Sequence, residues 1–544
     1  MMTRGTIGAA LVAALFWTGG SLAAEYDLVI RNGRVLDGAG NPWVRADVAI
    51  SDGRFVKIGH VTGRGRTEID AAGKYVSPGW IDMMDQSGRV LLKNGLAHNK
   101  VRMGVTTVIA GEGGTPVPAE EIGGYFATLE SLGISVNFGT YYSATQARVA
   151  VMGDVAGAPS KVQLKTMADK VDAAMRAGAF GITTALIYPP SSFHSTAELV
   201  ELSKVVARHG GIYASHMRDE GRALISAVDE AIEIGEKSGA KVEIFHLKAA
   251  YQPGWGKLMS EAGARIEAAR ARGVDVAADL YPYRAGGTGL EATVPSWVFA
   301  EGFEKGVERL KDPSLRDRLK REVAAGSTAE WSNLVEASGG WSNVVLANSH
   351  SAKWEKYHFK SIAEIAAAEG RDPADIAWDI VLDGLPNRAV ALFFMASEED
   401  IQTALRFPWT SIGSDASAAE VEGGIDDLGL PHPRSYGTFP RVIAEYVKKQ
   451  KVLSLPDAVR KMSSWPASRM GLSDRGLIRE GLWADVVIFD LDRIADKADW
   501  ENPLAFPEGV ETVLVNGVVV VKDGRHTGAK PGRVLRGPGH QAAE

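Results

Sequence analysis

Gly211-Ile212-Tyr213-Ala214-Ser215-His216, the amphipathic run 223–238 and Val242-Glu243-Ile244-Phe245-His246 together decide the fold. Both short segments are rich in apolar, β-branched and aromatic residues and close on a histidine, while the run between them repeats its apolar positions with helical period. Strand, helix and strand in that order make a βα unit on a parallel sheet. The rhythm continues on both sides: 106–110 precedes 119–132, 181–185 precedes 196–209, 241–246 precedes 257–272, and 274–280 follows. Enough units occur to close a (β/α)8 barrel, the TIM-barrel form of the α/β class. The competing fold, an open doubly wound sheet, would carry a glycine-rich phosphate turn after an early strand. Gly111-Glu112-Gly113-Gly114 lacks that spacing and opens no helix.

Outside the barrel the period changes. Tyr26-Asp27-Leu28-Val29-Ile30-Arg31-Asn32-Gly33 reads as a strand closed by an Asn-Gly turn, and 44–50, 55–58 and 67–70 alternate in the same way between Asp52-Gly53 and Gly73. The segments 484–490 and 512–521, the latter holding Asn516-Gly517, repeat the style near the other end. The simplest packing makes one small β-sandwich from both chain ends. The expected organisation is therefore a signal peptide at 1–24, sandwich strands at 25–75, the barrel at 76–470 with an insertion near 291–340, sandwich strands again at 471–536, and a tail at 537–544.

The 544 residues are 45% hydrophobic and 23% charged, as in ordinary globular proteins, and the net charge of -7 gives no footprint for nucleic acid. Arg4, the apolar stretch 7–17 and Ser21-Leu22-Ala23-Ala24 have the layout of a cleavable signal peptide, which predicts an exported protein, periplasmic or secreted. The apolar run is shorter than the ~20 residues that span a bilayer, so no stable membrane insertion is expected. There is no cysteine, hence no disulfide and no thiolate ligand.

In a barrel, side chains at the C-terminal ends of strands converge on one mouth. His216 and His246 end neighbouring strands and are placed to share a metal, and Trp409-Thr410-Ser411-Ile412-Gly413-Ser414-Asp415 ends a late strand in a carboxylate. Neutral imidazoles bind Zn2+ readily, the ion acidifies a water to a pKa of about 7, and a carboxylate then manages that proton. The reaction class implied is metal-assisted hydrolysis.

Further segments carry a resemblance: Ser77-Pro78-Gly79-Trp80-Ile81-Asp82, Gly104-Val105-Thr106-Thr107-Val108, Leu186-Ile187-Tyr188-Pro189-Pro190, Ser215-His216-Met217-Arg218-Asp219-Glu220-Gly221 and His246-Leu247-Lys248. Tyr281-Pro282-Tyr283, Ile412-Gly413-Ser414-Asp415, His432-Pro433-Arg434 and Tyr436-Gly437-Thr438-Phe439-Pro440 complete the set. In combination they resemble the D-aminoacylase (N-acyl-D-amino-acid deacylase) branch of the amidohydrolases over nearly the whole chain after residue 26. The resemblance implies a (β/α)8 barrel with a β-sandwich, zinc as the usual metal, His216 and His246 as ligands, and Asp415 as acid/base. It also implies that Lys248, Tyr283 and Arg434 contact the carboxylate of an N-acyl amino acid; a guanidinium can grip such a group bidentately.

Two departures matter. Where the family has His-X-His at the end of the first strand, this chain has Met84, Asp85 and Gln86, neither end of which is a good zinc ligand. A binuclear centre is therefore disfavoured, and one Zn2+ or other divalent metal per chain is expected. Where the family has a cysteine in a Gly-Asn-Cys-Gly turn, this chain has Gly113, with Glu112 just before it. A carboxylate is a competent zinc ligand, which makes Glu112 the candidate third ligand beside His216 and His246. Alternatives are a peptidase or an amidase acting on another carbon-nitrogen bond, and a non-catalytic exported binding protein. Nothing in the sequence sets the oligomeric state, the acyl group or the chirality of the substrate.

Overall fold

The computed structural model describes residues 24–425 and 429–541, so the expected signal peptide at 1–24 lies outside the described residues except for its last position. The parallel strands Trp80–Asp85, Val105–Ala110, Asn137–Thr140 continued by Tyr142–Ser143, Gly181–Ala185, Ile212–His216, Lys241–Ile244, Val276–Leu280 and Thr410–Ile412 follow one another around a barrel. A parallel bridge between Asp85 and Ala416 joins the last strand's end to the first and closes it. Helices cover the outside for the expected reason: in Leu224–Ser238 the buried Leu224, Ala227, Val228, Ala231, Ile232 and Gly235 recur three and four residues apart. The third strand escaped sequence reading because Asn137, Gly139 and Thr140 interrupt its apolar run, although all of Asn137–Thr140 is buried.

Both chain ends build one nine-stranded sheet. Its seam is the antiparallel pairing of Tyr75–Pro78 with Val486–Phe489, and Val48, Ile50, Phe55, Val76, Val486, Ile488 and Leu514 from both ends share its core. Asp52-Gly53 joins the strands Val44–Ser51 and Arg54–Gly59, and Asn516-Gly517 joins Val510–Val515 and Val518–Lys522, each turn with positive φ at both residues, as a two-residue hairpin requires. Asn32-Gly33, expected to be a turn, instead lies inside the continuous strand Tyr26–Val35. There the pairing register shifts between Ile30 and Gly33, and the φ of 55° at Asn32 serves a bulge.

Two expected boundaries change. The insertion is not 291–340 but begins with Ala285–Gly289, which forms an antiparallel sheet with Val390–Phe394 and, beyond it, Val344–Asn348. Its own apolar core includes Val298, Leu319, Trp354 and Trp378. The glycines of Ala285–Gly289 hide a strand, and Val344–Asn348 and Val390–Phe394 are short apolar runs like those of the barrel strands. The expected tail at 537–544 is tied to the barrel over its described part, 537–541, as is the chain just before it. The backbone N–H groups of Gly532, Leu535, Gly537 and Gln541 donate to Ile134, Phe138, Gly178 and Arg176, which strap the chain across the N-terminal face of the barrel.

The closing seam holds a buried cation. The Lys100 ammonium, wholly enclosed, donates to Asp82 at 3.1 Å, Ser414 Oγ at 2.8 Å and the Ala416 carbonyl at 2.6 Å, and pairs with Asp85 at 2.7 Å. Removing one partner of a buried ion pair leaves uncompensated charge. Lys100→Met is therefore expected to lose about 3–5 kcal/mol of stability in denaturant unfolding, and a loss below about 1 kcal/mol would show that the seam does not depend on it.

Candidate active site

Polar residues at and just beyond the strand ends converge on one cavity of about 750 Å³ at the C-terminal mouth of the barrel. His216 ends its strand, whereas Glu112, His246 and Asp415 stand two or three residues past theirs. Two of these have left-handed backbones, His246 with a φ of 36° and Asp415 with 50°. For side chains with a Cβ that conformation costs about 1–3 kcal/mol each and persists only where surrounding bonds fix it. They do: the His246 N–H donates to Asp279 at 2.7 Å, and the Asp415 N–H donates to the Met84 carbonyl at 2.9 Å. Glu112 sits in a tight turn closed by the Gly114 N–H on the Gly111 carbonyl. A side chain on Gly111, at a φ of 112°, would meet Gly114 O at 2.8 Å.

Three candidate ligands meet at one atom. His216 Nδ1 lies 2.9 Å and His246 Nε2 3.5 Å from Glu112 Oε1, and the two imidazole rings stand nearly perpendicular with centres 4.4 Å apart. Burial by itself would raise the Glu112 carboxyl, but the two histidines outweigh it and hold it well below the usual range. Burial and Lys248 pull His246 down, yet Glu220 and Glu112 lift it to about 9. Two imidazole nitrogens and a carboxylate oxygen aimed at one another in a buried spot form a donor set that fits a divalent cation, and no other such group occurs among the described residues.

Glu220 is the site residue that sequence reading passed over, although it stood in the Ser215–Gly221 motif. It is buried, its Oε1 lies 2.9 Å from His246 Nδ1 and 2.7 Å from Lys248 Nζ, and its Oε2 lies 3.5 Å from His216 Nε2. Lys248 heads the forces that hold Glu220 ionised against its burial. A carboxylate behind a ligating histidine fixes ring orientation and tautomer. The only sequence signal was its position four residues after His216, just beyond the strand.

Asp415 pairs with Arg434, and Gln86 completes the wall, with its amide nitrogen 2.8 Å from Glu112 Oε2 and 3.4 Å from Asp415 Oδ1. Met84, by contrast, turns into an apolar cluster with Met83, Ile109 and Phe245. Lys248 borders the cavity, but its ammonium is engaged with Glu220 and His246. Tyr283, expected at the substrate, does not line the cavity: its hydroxyl lies 3.2 Å from Asp496 and 3.3 Å from the Pro433 carbonyl. Tyr281 takes that wall, its ring 5.0 Å from the Arg434 guanidinium and 5.5 Å from the Lys248 ammonium. The strand has ended at Leu280, and a bond from the Tyr283 N–H back to the Tyr281 carbonyl sends the two rings different ways.

A closed parallel barrel whose mouth gathers two histidines and a carboxylate in one donor set, with another carboxylate beside it, defines the class of metal-dependent amidohydrolases. Comparison with known proteins agrees. Residues 340–521 match the model of the amidohydrolase family. A D-aminoacylase of Alcaligenes xylosoxydans xylosoxydans is 32% identical over 534 residues, spanning 94% of this chain and 97% of that protein. The crystal structure of a D-aminoacylase superposes with a TM-score of 0.78 at 31% identity, over 94% of this chain and 100% of the other. That of an N-acyl-D-glutamate deacylase from Bordetella bronchiseptica, complexed with zinc and a phosphonate inhibitor, gives 0.77 at 29%, over 94% and 99%. The chain belongs to the D-aminoacylase family, hydrolases of carbon-nitrogen amide bonds.

The two tyrosines separate by experiment. Tyr281→Leu removes a cation–π wall worth about 1–2 kcal/mol and is expected to lower kcat/KM roughly tenfold. Tyr283→Phe is expected to lower stability by about 1 kcal/mol and leave kcat/KM unchanged; steady-state kinetics with thermal melts on both variants checks the assignment, and a kinetic loss confined to Tyr283→Phe reverses it.

Proposed function

We propose that this chain hydrolyses the amide bond of N-acyl-D-amino acids with one divalent metal, zinc by the chemistry of its donors, held by Glu112, His216 and His246. The observation that carries the reading is the convergence of both imidazoles on Glu112 Oε1 within reach of a separate carboxylate at Asp415. When bound there, the metal supplies Lewis acidity, which polarises a carbonyl and acidifies water. Asp415, kept in place by Arg434 and Gln86, accepts the proton of the attacking water and delivers it to the departing amine, as a general base turned acid. Glu220 and Lys248 hold His246 in the orientation that turns Nε2 to the cluster. Arg89, Lys93, Lys248, Arg388 and Arg434 line the cavity against Glu112, Glu220 and Asp415, a surplus of positive charge that favours a carboxylate-bearing substrate. Arg434, with Tyr281 beneath it, is the group we assign to that carboxylate. The names of the similar proteins support an N-acyl-D-amino acid as the substrate class.

A panel of N-acyl-D- and N-acyl-L-amino acids and dipeptides, combined with elemental analysis, tests this reading. Turnover is expected for the D series, lost on chelation and restored by zinc. Asp415→Asn is expected to lower kcat by ~10²–10⁴-fold with metal content intact. Full activity in Asp415→Asn, or tight binding without turnover, would falsify it.

We also propose export directed by residues 1–24. Among the described residues no helix is long and apolar enough to cross a membrane. N-terminal sequencing of the protein from fractionated cells should begin at Ala24 or Glu25, and an intact Met1 in the cytoplasmic fraction would exclude export.

A further inference from the structure

Gln86 stands between two carboxylates, one belonging to a candidate ligand and the other to the candidate base. Its amide nitrogen lies 2.8 Å from Glu112 Oε2 and 3.4 Å from Asp415 Oδ1. A primary amide has two N–H donors on nitrogen and only acceptor capacity on oxygen, so the NH2 end faces the two carboxylates and offers each a hydrogen. With Oε2 tied to Gln86, Oε1 is the oxygen left toward His216 Nδ1 at 2.9 Å and His246 Nε2 at 3.5 Å. Tilting or rotating the Glu112 carboxylate out of this plane would break the 2.8 Å bond, so the bond fixes the orientation in which the group presents its other oxygen. Asp415 is gripped from its other oxygen by Arg434, which leaves Oδ1 as the one facing Gln86.

The same amide bridges Glu112 and Asp415. Its nitrogen lone pair is delocalised into the carbonyl, and what it presents to the cluster is donor hydrogens.

We propose that Gln86 is a positioning residue that fixes the orientation in which the Glu112 carboxylate faces the metal and couples that ligand to the base at Asp415. The proposal rests on Glu112 being a ligand.

The test is a double-mutant cycle on the full chain: zinc affinity by competition with a chromophoric chelator for wild type, Gln86→Leu, Glu112→Ala and the double variant. Groups that orient a ligand typically contribute 10–100-fold in metal affinity, so Gln86→Leu is expected to weaken zinc by ~10-fold or more. Its kcat should fall while KM and the melting temperature of the metal-free protein hold. In the Glu112→Ala background the same substitution is expected to change affinity by less than about twofold, because the carboxylate it orients is gone. Wild-type affinity in Gln86→Leu, or an equal loss in both backgrounds, overturns the proposal. Wild-type affinity in Glu112→Ala alone removes the ligand assignment itself, a failure visible without reference to position 86. If Gln86→Leu does not fold, Gln86→Asn keeps the donors one methylene short; a partial loss of affinity supports the coupling and wild-type affinity refutes it.

Discussion

Everything at the mouth depends on how the barrel closes. The last strand, Thr410–Ile412, is short, and beyond it a bridge to Asp85, the Asp415 N–H bond to Met84 and the Lys100 ammonium beneath them join the two ends of the sheet. An enclosed ammonium is tolerable only when its donors are satisfied, and Lys100 has Asp82, Asp85, Ser414 and a carbonyl around it. Because Ser414 and Ala416 flank Asp415, the seam that completes the fold also places the base. Closure brings the last strand's Asp415 beside the first strand's Gln86, which stands between it and the Glu112 turn of the second strand.

The site is strained where it is polar. His246 and Asp415 both leave their strands through left-handed φ values, and each is pinned by a backbone hydrogen bond from its own N–H. Stability is given up locally so that side chains which would point along the barrel turn inward to one point. The electrostatics follow the same plan: His216 and His246 reach a buried carboxylate on one side, and Glu220 with Lys248 backs them on the other.

Positions 86 and 112 make sense as a pair. A carboxylate at 112 needs an orientation that a sulfur ligand would not, since a carboxylate offers two oxygens and a thiolate one atom. An amide at 86 provides that orientation at 2.8 Å and adds no charge to a mouth that already holds Glu112, Glu220 and Asp415. The insertion of 285–394 supplies the opposite wall through Gly287, Thr288, Arg388 and Val390, so the substrate meets barrel on one side and this added sheet on the other.

The sequence by itself determined the parts whose signal is local. Periodicity marked the strands and helices around His216 and His246, the glycine turns marked the hairpins of the sheet, polar residues at strand ends named His216, His246 and Asp415, and the family resemblance, with its cysteine missing here, named Glu112. It failed where the signal was non-local or ambiguous. Glycines concealed Ala285–Gly289, Asn32-Gly33 made a bulge rather than a turn, and Tyr281 rather than Tyr283 lines the cavity because a loop bond sends the two rings different ways. Only the tertiary structure decided that both histidines meet one oxygen of Glu112, that Glu220 stands behind them, and that Gln86 bridges two carboxylates. Those contacts join residues far apart in the chain, and a sequence states which groups exist at the strand ends but not how far apart closure of the barrel will leave them.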